Sequence, residues 1–166
     1  MNKSVLTVAL GAVALVAAAC SSGGTKSTGS SATPSPAASS GGPAVVAVAT
    51  AALGPILVDG AGRTLYLFVA DRGTSSTCYA ACAATWPPLL THGVPTAELS
   101  AKASDVGTTT RTEGTTEVTY AGHPLYYYVG DTKPGAITGQ DLNQFGGLWY
   151  VLSPNGTEIT TAPPSA

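Results

Sequence analysis

The sequence predicts an all-β fold, mainly strands with one or two short helical turns. Two tandem β-hairpin repeats would form one small sandwich- or barrel-like domain. Three observations carry this prediction. Gly62–Asp71 (GRTLYLFVAD) aligns with Gly122–Asp131 (GHPLYYYVGD) at an offset of sixty residues without a gap, and Gly, Leu, Tyr, an aromatic, Val and Asp recur in register. Short β-branched, aliphatic and aromatic runs alternate with turn-forming residues, the pattern of sandwiches and barrel-like sheets. Leu125–Val129 (LYYYV) is apolar or aromatic at every position, as a central strand covered on both faces should be.

The elements follow in chain order. Val45–Ala49 reads as an opening strand. Pro55–Val58 and Thr64–Val69 flank the turn residues Asp59-Gly60-Ala61-Gly62, which predicts the first hairpin. Cys78–Thr85 is alanine-rich and predicts one short helical turn, stopped by Pro87 and Pro88. Ala97–Ser104 is a second, weaker helix candidate. Val106–Arg111 and Thr116–Tyr120 flank Glu113-Gly114 and predict another hairpin. Glu117–Tyr120, Ala121-Gly122 and Leu125–Val129 repeat the pattern of the first hairpin. Trp149–Leu152 and Thr157–Thr160 flank Ser153-Pro154-Asn155-Gly156 and predict the last one. The repeats span about residues 53–90 and 115–156, within a β domain of residues 43–160 and before a short tail of residues 161–166.

The first 42 residues read differently. Lys3 precedes an uncharged, mostly apolar run, Ser4–Ala18. Those fifteen residues would span about 22 Å as a helix, short of the roughly 30 Å hydrocarbon core of a bilayer. This suits the core of an export signal, residues 1–19. It ends in Val16-Ala17-Ala18-Ala19-Cys20, and small residues before a cysteine resemble the lipobox of bacterial lipoproteins, although position −3 is Ala17 where Leu is commoner. That resemblance implies diacylglycerol on the Cys20 sulfur and cleavage just before it. Residues 20–42 then carry no aromatic and no large aliphatic side chain, so they cannot bury enough apolar surface to offset their conformational entropy and read as a linker. The expected address is the extracytoplasmic face of a membrane, with lipid as the first partner.

Composition excludes some partners. Charged residues make up 10% of the chain, against roughly 25% in typical domains, and the net charge is −2. The lysines and arginines are scattered singly, so nucleic acid has no basic surface to meet.

Tyr66-x-Phe68-x-x-Asp71 and Tyr126-x-Tyr128-x-x-Asp131 match a Y-x-[FWY]-x-x-D pattern. With Cys78-x-x-x-Cys82-x-x-x-Trp86-Pro87-Pro88 and Gly146-Gly147-Leu148-Trp149-Tyr150-Val151, the chain resembles a family of bacterial secreted repeat lipoproteins of unknown function. The resemblance covers roughly Ala44–Gly156 and implies architecture rather than activity.

Candidate chemistry is sparse. Cys78 and Cys82 form a pair that export would oxidise, giving a structural disulfide or, alternatively, a redox or metal-handling dithiol. A disulfide at i, i+4 does not suit a regular helix, so a tightened or broken turn is expected there. His92 and His123 are the only imidazoles, and with the two cysteines they are weak candidates for a four-ligand metal site; no cofactor is predicted. Asp71 and Asp131 are expected to cap turns, with calcium ligation as the alternative. Most of the aromatic side chains are expected in the core of so small a β domain; Trp86 and Trp149, each near a turn or proline, are possible ligand contacts if exposed, as in a carbohydrate-binding module. No nucleophile–base pairing stands out, so no enzyme is expected. The leading expectation is a binding or structural module of the cell envelope, with an envelope protein or a glycan as partner. The redox or metal-handling protein and the carbohydrate-binding module are its alternatives.

Overall fold

A computed structural model describes residues 41–162. The export signal, Cys20, most of the linker and the last residues of the tail lie outside the described residues. Among the described residues the fold is mostly β. Nine strands form three small three-stranded sheets and no closed barrel.

β1 (Val45–Ala51) and β2 (Gly54–Asp59) pair antiparallel from Val46↔Asp59 to Ala51↔Gly54. β1 is therefore a full hairpin partner of β2, an arrangement absent from the expected hairpin of β2 with Thr64–Val69. That second hairpin forms only at its base. The Asp59 carboxylate accepts the Ala61 and Arg63 amides at 2.9 Å each, Val58 bridges Thr64, and Leu65 N–H donates to Leu57. The chain then leaves β2, and β3 (Tyr66–Phe68) pairs instead with β9 (Gly147–Val151), Phe68 opposite Trp149.

The second repeat does the same. β5 (Val106–Thr110) and β6 (Thr116–Tyr120) form the expected hairpin, and β6 continues onto the two-residue β7 (His123–Pro124). Beyond Leu125 the strand runs beside residues 85–89 of the first repeat: Tyr127 N–H donates to Pro87, Val129 N–H to Thr85, and Leu89 N–H to Leu125. Pro87 and Pro88 have no N–H, so this edge offers carbonyls there, and Tyr127 takes one of them. At the centre Tyr66 and Tyr126 exchange both backbone bonds, 2.9 and 3.0 Å. Each motif strand thus pairs with the tryptophan-bearing strand of the other repeat.

One local expectation is corrected. The helix candidate Ala97–Ser104 is absent. β4 (Thr96–Ala97) joins β1 in parallel, Leu99 and Ser100 turn at φ 46° and 73°, and a 3-10 turn covers Ala103–Asp105. Alanine's helix propensity loses here to backbone bonds with the first strand, Thr96 N–H to Ala44 and Glu98 N–H to Val46. A further hairpin joins β8 (Leu142–Gln144) to β9 through Phe145 and Gly146, both at positive φ as a type I′ turn requires. Phe-Gly is not a recognisable signal for that turn.

Alternation along the strands feeds two cores. Val46, Leu57, Leu65, Leu67, Leu89, Val118, Leu125 and Leu152 fill one. Ile56, Val58, Tyr66, Phe68, Trp86, Tyr126, Trp149 and Val151 fill the other. Leu125, Tyr126 and Tyr127 are buried on both faces of one strand, as their composition predicts. Val129 emerges at 45% exposure where the strand ends.

Candidate functional site

The motif residues meet across the repeat boundary. Tyr66 Oη donates to Asp131 Oδ2 at 2.6 Å, and Tyr126 Oη donates to Asp71 Oδ2 at 2.7 Å. The tyrosine of each motif binds the aspartate of the other. The second carboxylate oxygen of each aspartate works locally. Asp71 Oδ1 accepts the Thr77 amide and hydroxyl, and Asp131 Oδ1 accepts the same groups of Thr138. The turn-capping expectation therefore describes one oxygen of each carboxylate.

Between the tyrosines lies a column of rings. Trp86 and Trp149 stack at 3.9 Å and 6° between planes; Phe68 caps Trp149 at 4.1 Å and Tyr128 caps Trp86 at 4.4 Å. Tyr66 meets Trp86 edge-on at 5.3 Å, and Tyr126 meets Trp149 likewise at 5.2 Å. Gln144 receives both indoles, Trp86 on its side-chain oxygen and Trp149 on its backbone carbonyl. Both tryptophans are 0% exposed. Burial accords with the core expected for most of the aromatics, and the alternative that needs these two exposed as a stacking platform is not met: two large apolar rings beside each other lose least by excluding water, and each indole N–H still finds an acceptor.

The disulfide joins Cys78 and Cys82, with Cα atoms 5.2 Å apart. Cys78 lies ahead of the single α-helical turn, α1 (Ala81–Thr85), and Ala80 at φ 50° breaks the path between them. The loop is held from outside by Arg111, a residue with no motif signature. Its guanidinium donates to Cys78 O at 2.7 Å, Ser76 Oγ at 2.9 Å and Glu117 Oε2 at 2.7 Å, and lies 4.5 Å from the centre of the Tyr79 ring. Ser76 Oγ is also 2.7 Å from Tyr126 Oη, so the Arg111 network and the Tyr126–Asp71 pair are continuous.

Burial governs the titration of this cluster. Desolvation pushes the Tyr66 and Tyr126 phenols far above their ordinary range, reinforced at Tyr66 by Asp131 and at Tyr126 by Glu117 and Asp71. Asp71 is raised by burial against the opposing hydrogen bonds of Tyr126 and Thr77. Glu117 is pushed up to about 8 by burial, with Arg111 pulling the other way. Its Oε1 is buried without a hydrogen-bond partner, which accords with a carboxyl that resists ionisation.

The remaining candidates stay apart. His92 is exposed, His123 is half-buried in β7, and Cys78 and Cys82 are engaged with each other. Among the described residues, no three His, Cys, Asp or Glu side chains group to hold a metal ion. Arg111, Glu117, Ser76 and Gln144 are the residues that sequence reasoning missed. The one available signal was a lone carboxylate within the strand Thr116–Tyr120.

A family model described as a secreted repeat of unknown function, Lipoprotein_15, matches residues 47–90 and 107–153, more than half of the chain. The chain belongs to that family. Each match ends just beyond one of the buried tryptophans, so each matched stretch of this chain carries both halves of the interlock: a motif strand and the tryptophan strand that the other repeat needs. Neither the curated proteins nor the solved structures searched contain a match.

Proposed function

We propose that this secreted repeat is a lipid-anchored, non-catalytic module that holds a rigid surface at the extracytoplasmic face for an envelope partner. One observation carries this reading: the most distinctive side chains of the chain, Tyr66, Asp71, Trp86, Tyr126, Asp131 and Trp149, are engaged with one another across the two repeats. Residues that recur for chemistry should meet a solvent-facing cleft, whereas residues that recur for assembly should close on each other. The cysteines follow the same logic, since Cys78 is 0% and Cys82 6% exposed. A buried disulfide in an exported domain supports stability better than exchange. The anchor rests on Cys20 after Ala17-Ala18-Ala19.

The test is intact mass after thiol alkylation of the exported protein equilibrated in graded glutathione buffers. A structural bond stays closed and unalkylated until strong reductant or denaturant is added, with a potential below about −300 mV. Opening at a poise of roughly −200 mV, near that of oxidising compartments, would sink the non-catalytic reading and make Cys78 and Cys82 the site. The same spectrum reports the anchor, as diacylglycerol mass lost in Cys20→Ala.

A further inference from the structure

We infer that the domain rests on the lipid surface through the segment Gly93–Ser100, with Val94 and Leu99 entering the bilayer interface. This inference rests on the lipid-anchor reading above and goes beyond it, since an anchor alone leaves the domain's orientation open.

The first argument is where the chain joins the domain. Gly42 O accepts the His92 amide at 3.2 Å, and a side chain at Gly93 would touch Pro43 at 3.6 Å. The chain therefore enters the domain at Gly42–Pro43 against residues 92–93. β4 lies beside the first two residues of β1, Val45↔Thr96 and Val46↔Ala97. The segment flanking β4 thus lies beside the point of attachment, as does the Asp59–Gly60 end of β2.

The second argument is what that segment displays. Val94 is 82% and Leu99 71% exposed, well above the other exposed large apolar residues, Val69, Val129 and Phe145, at 45–48%. Single exposed apolar residues are ordinary. These two bracket one two-residue strand, and Leu99 is held outward in a left-handed conformation, φ 46°, that bulky side chains rarely adopt. An open groove of about 370 Å³ adjoins Val94, between Gly93–Pro95 and Val106–Thr108, and no charged side chain lines it.

The third argument is charge. Glu98, Lys102 and Asp105 are the charged residues between Gly93 and Thr110, and they do not add up to a basic surface. The segment therefore offers no basic cluster to anionic headgroups, and the contact we infer is with the apolar part of the interface. Two side chains would bind a membrane weakly in solution. They suffice on an anchored domain, because tethering makes the contact intramolecular and raises its effective concentration.

The experiment uses the full lipidated chain reconstituted in phosphatidylcholine vesicles. Three single variants, Val94→Cys, Leu99→Cys and Phe145→Cys, are each labelled with an environment-sensitive nitrobenzoxadiazole probe. The expected result is flotation with the vesicles, severalfold brightening at positions 94 and 99, and no change at 145, all insensitive to salt. Brightening at 94 is expected to vanish when Leu99→Asp is added. Flotation with dim probes at 94 and 99, or stronger brightening at 145, overturns the assigned face while leaving the anchor intact. Brightening that depends on protein concentration without vesicles overturns it in favour of self-association. Failure to float removes the anchor reading and this inference with it.

Discussion

If Tyr66 serves the other repeat, its energetic partner must be Asp131, sixty-five residues away, and not Asp71 in its own motif. Tyr66→Phe removes the hydroxyl and keeps the ring against Trp86. The lost bond is 2.6 Å long and ends on a carboxylate, and hydrogen bonds to charged groups contribute about 1.5–3 kcal/mol. The Gly139 amide, 3.3 Å from the same oxygen, also loses its acceptor. Asp131→Ala should cost more, because the Thr138 amide and hydroxyl lose Asp131 as well. A double-mutant cycle subtracts those local losses. The expected coupling between Tyr66→Phe and Asp131→Ala is about 1–2 kcal/mol, and that between Tyr66→Phe and Asp71→Ala stays within about 0.5 kcal/mol. Guanidinium unfolding followed by tryptophan fluorescence measures all six species, since both tryptophans sit in the ring column. Stronger coupling to Asp71 would mean that each motif closes on itself, and the interlocked architecture would be wrong.

Three further outcomes follow from the same packing. A methyl group at Gly139 would lie 2.7 Å from Trp86 Cη2 and 3.0 Å from Tyr66 Cζ, so Gly139→Ala should cost about 1–3 kcal/mol in unfolding experiments, whereas Gly114→Ala meets open space and costs only its positive φ. Glu117 has a folded pKa of about 8, above its unfolded value near 4.3, so the folded state holds the extra proton between them. Stability should therefore fall as pH rises through about 4.5 to 8, and Glu117→Gln should flatten that slope; an unchanged slope assigns it to other groups. Separate chains of residues 41–92 and 100–162 should each remain unfolded by circular dichroism and gain β structure only when mixed, because each tryptophan strand lacks its partner in its own fragment.

Much of the fold was legible because it is written locally. Turn residues flank β-branched runs, and the recurrence of Gly, Leu, Tyr, Val and Asp at one offset identifies the repeat. The Cys78–Thr85 turn and its break were legible too, since a disulfide at that spacing does not fit a regular helix. The Ala97–Ser104 error had a physical source, because composition registered alanine and could not register that β1 would need a parallel neighbour. The exposure that the carbohydrate-binding alternative needs at Trp86 and Trp149 is missing for a related reason. Proximity to prolines and glycines suggests surface, but those residues mark where a strand bends, not which way its side chain points.

The partner of each motif tyrosine was not legible, and the reason is general to repeats. Two copies of Y-x-[FWY]-x-x-D contain two equivalent ways to join tyrosine to aspartate, within a copy or between copies, and both satisfy the same alternation of faces. What decides is geometry beyond the motif. Tyr66 and Tyr126 exchange backbone bonds, so the two motif strands lie side by side, and each strand's outer edge is taken by the other copy's tryptophan strand. The carboxylate beyond each strand end is then reached from the neighbouring strand. Arg111 and Glu117 show the complementary case. They belong to neither motif copy, yet they hold Ser76 and the Cys78 carbonyl against Tyr126 and so break the symmetry. The disulfide and α1 belong to the first copy, whereas the Arg111–Glu117 clamp that braces them comes from the β5–β6 hairpin of the second. Two copies that need only hold each other could remain alike; here the disulfide of the first copy and the Arg111–Glu117 bridge of the second meet at the Cys78 carbonyl, so the asymmetry itself spans the interlock.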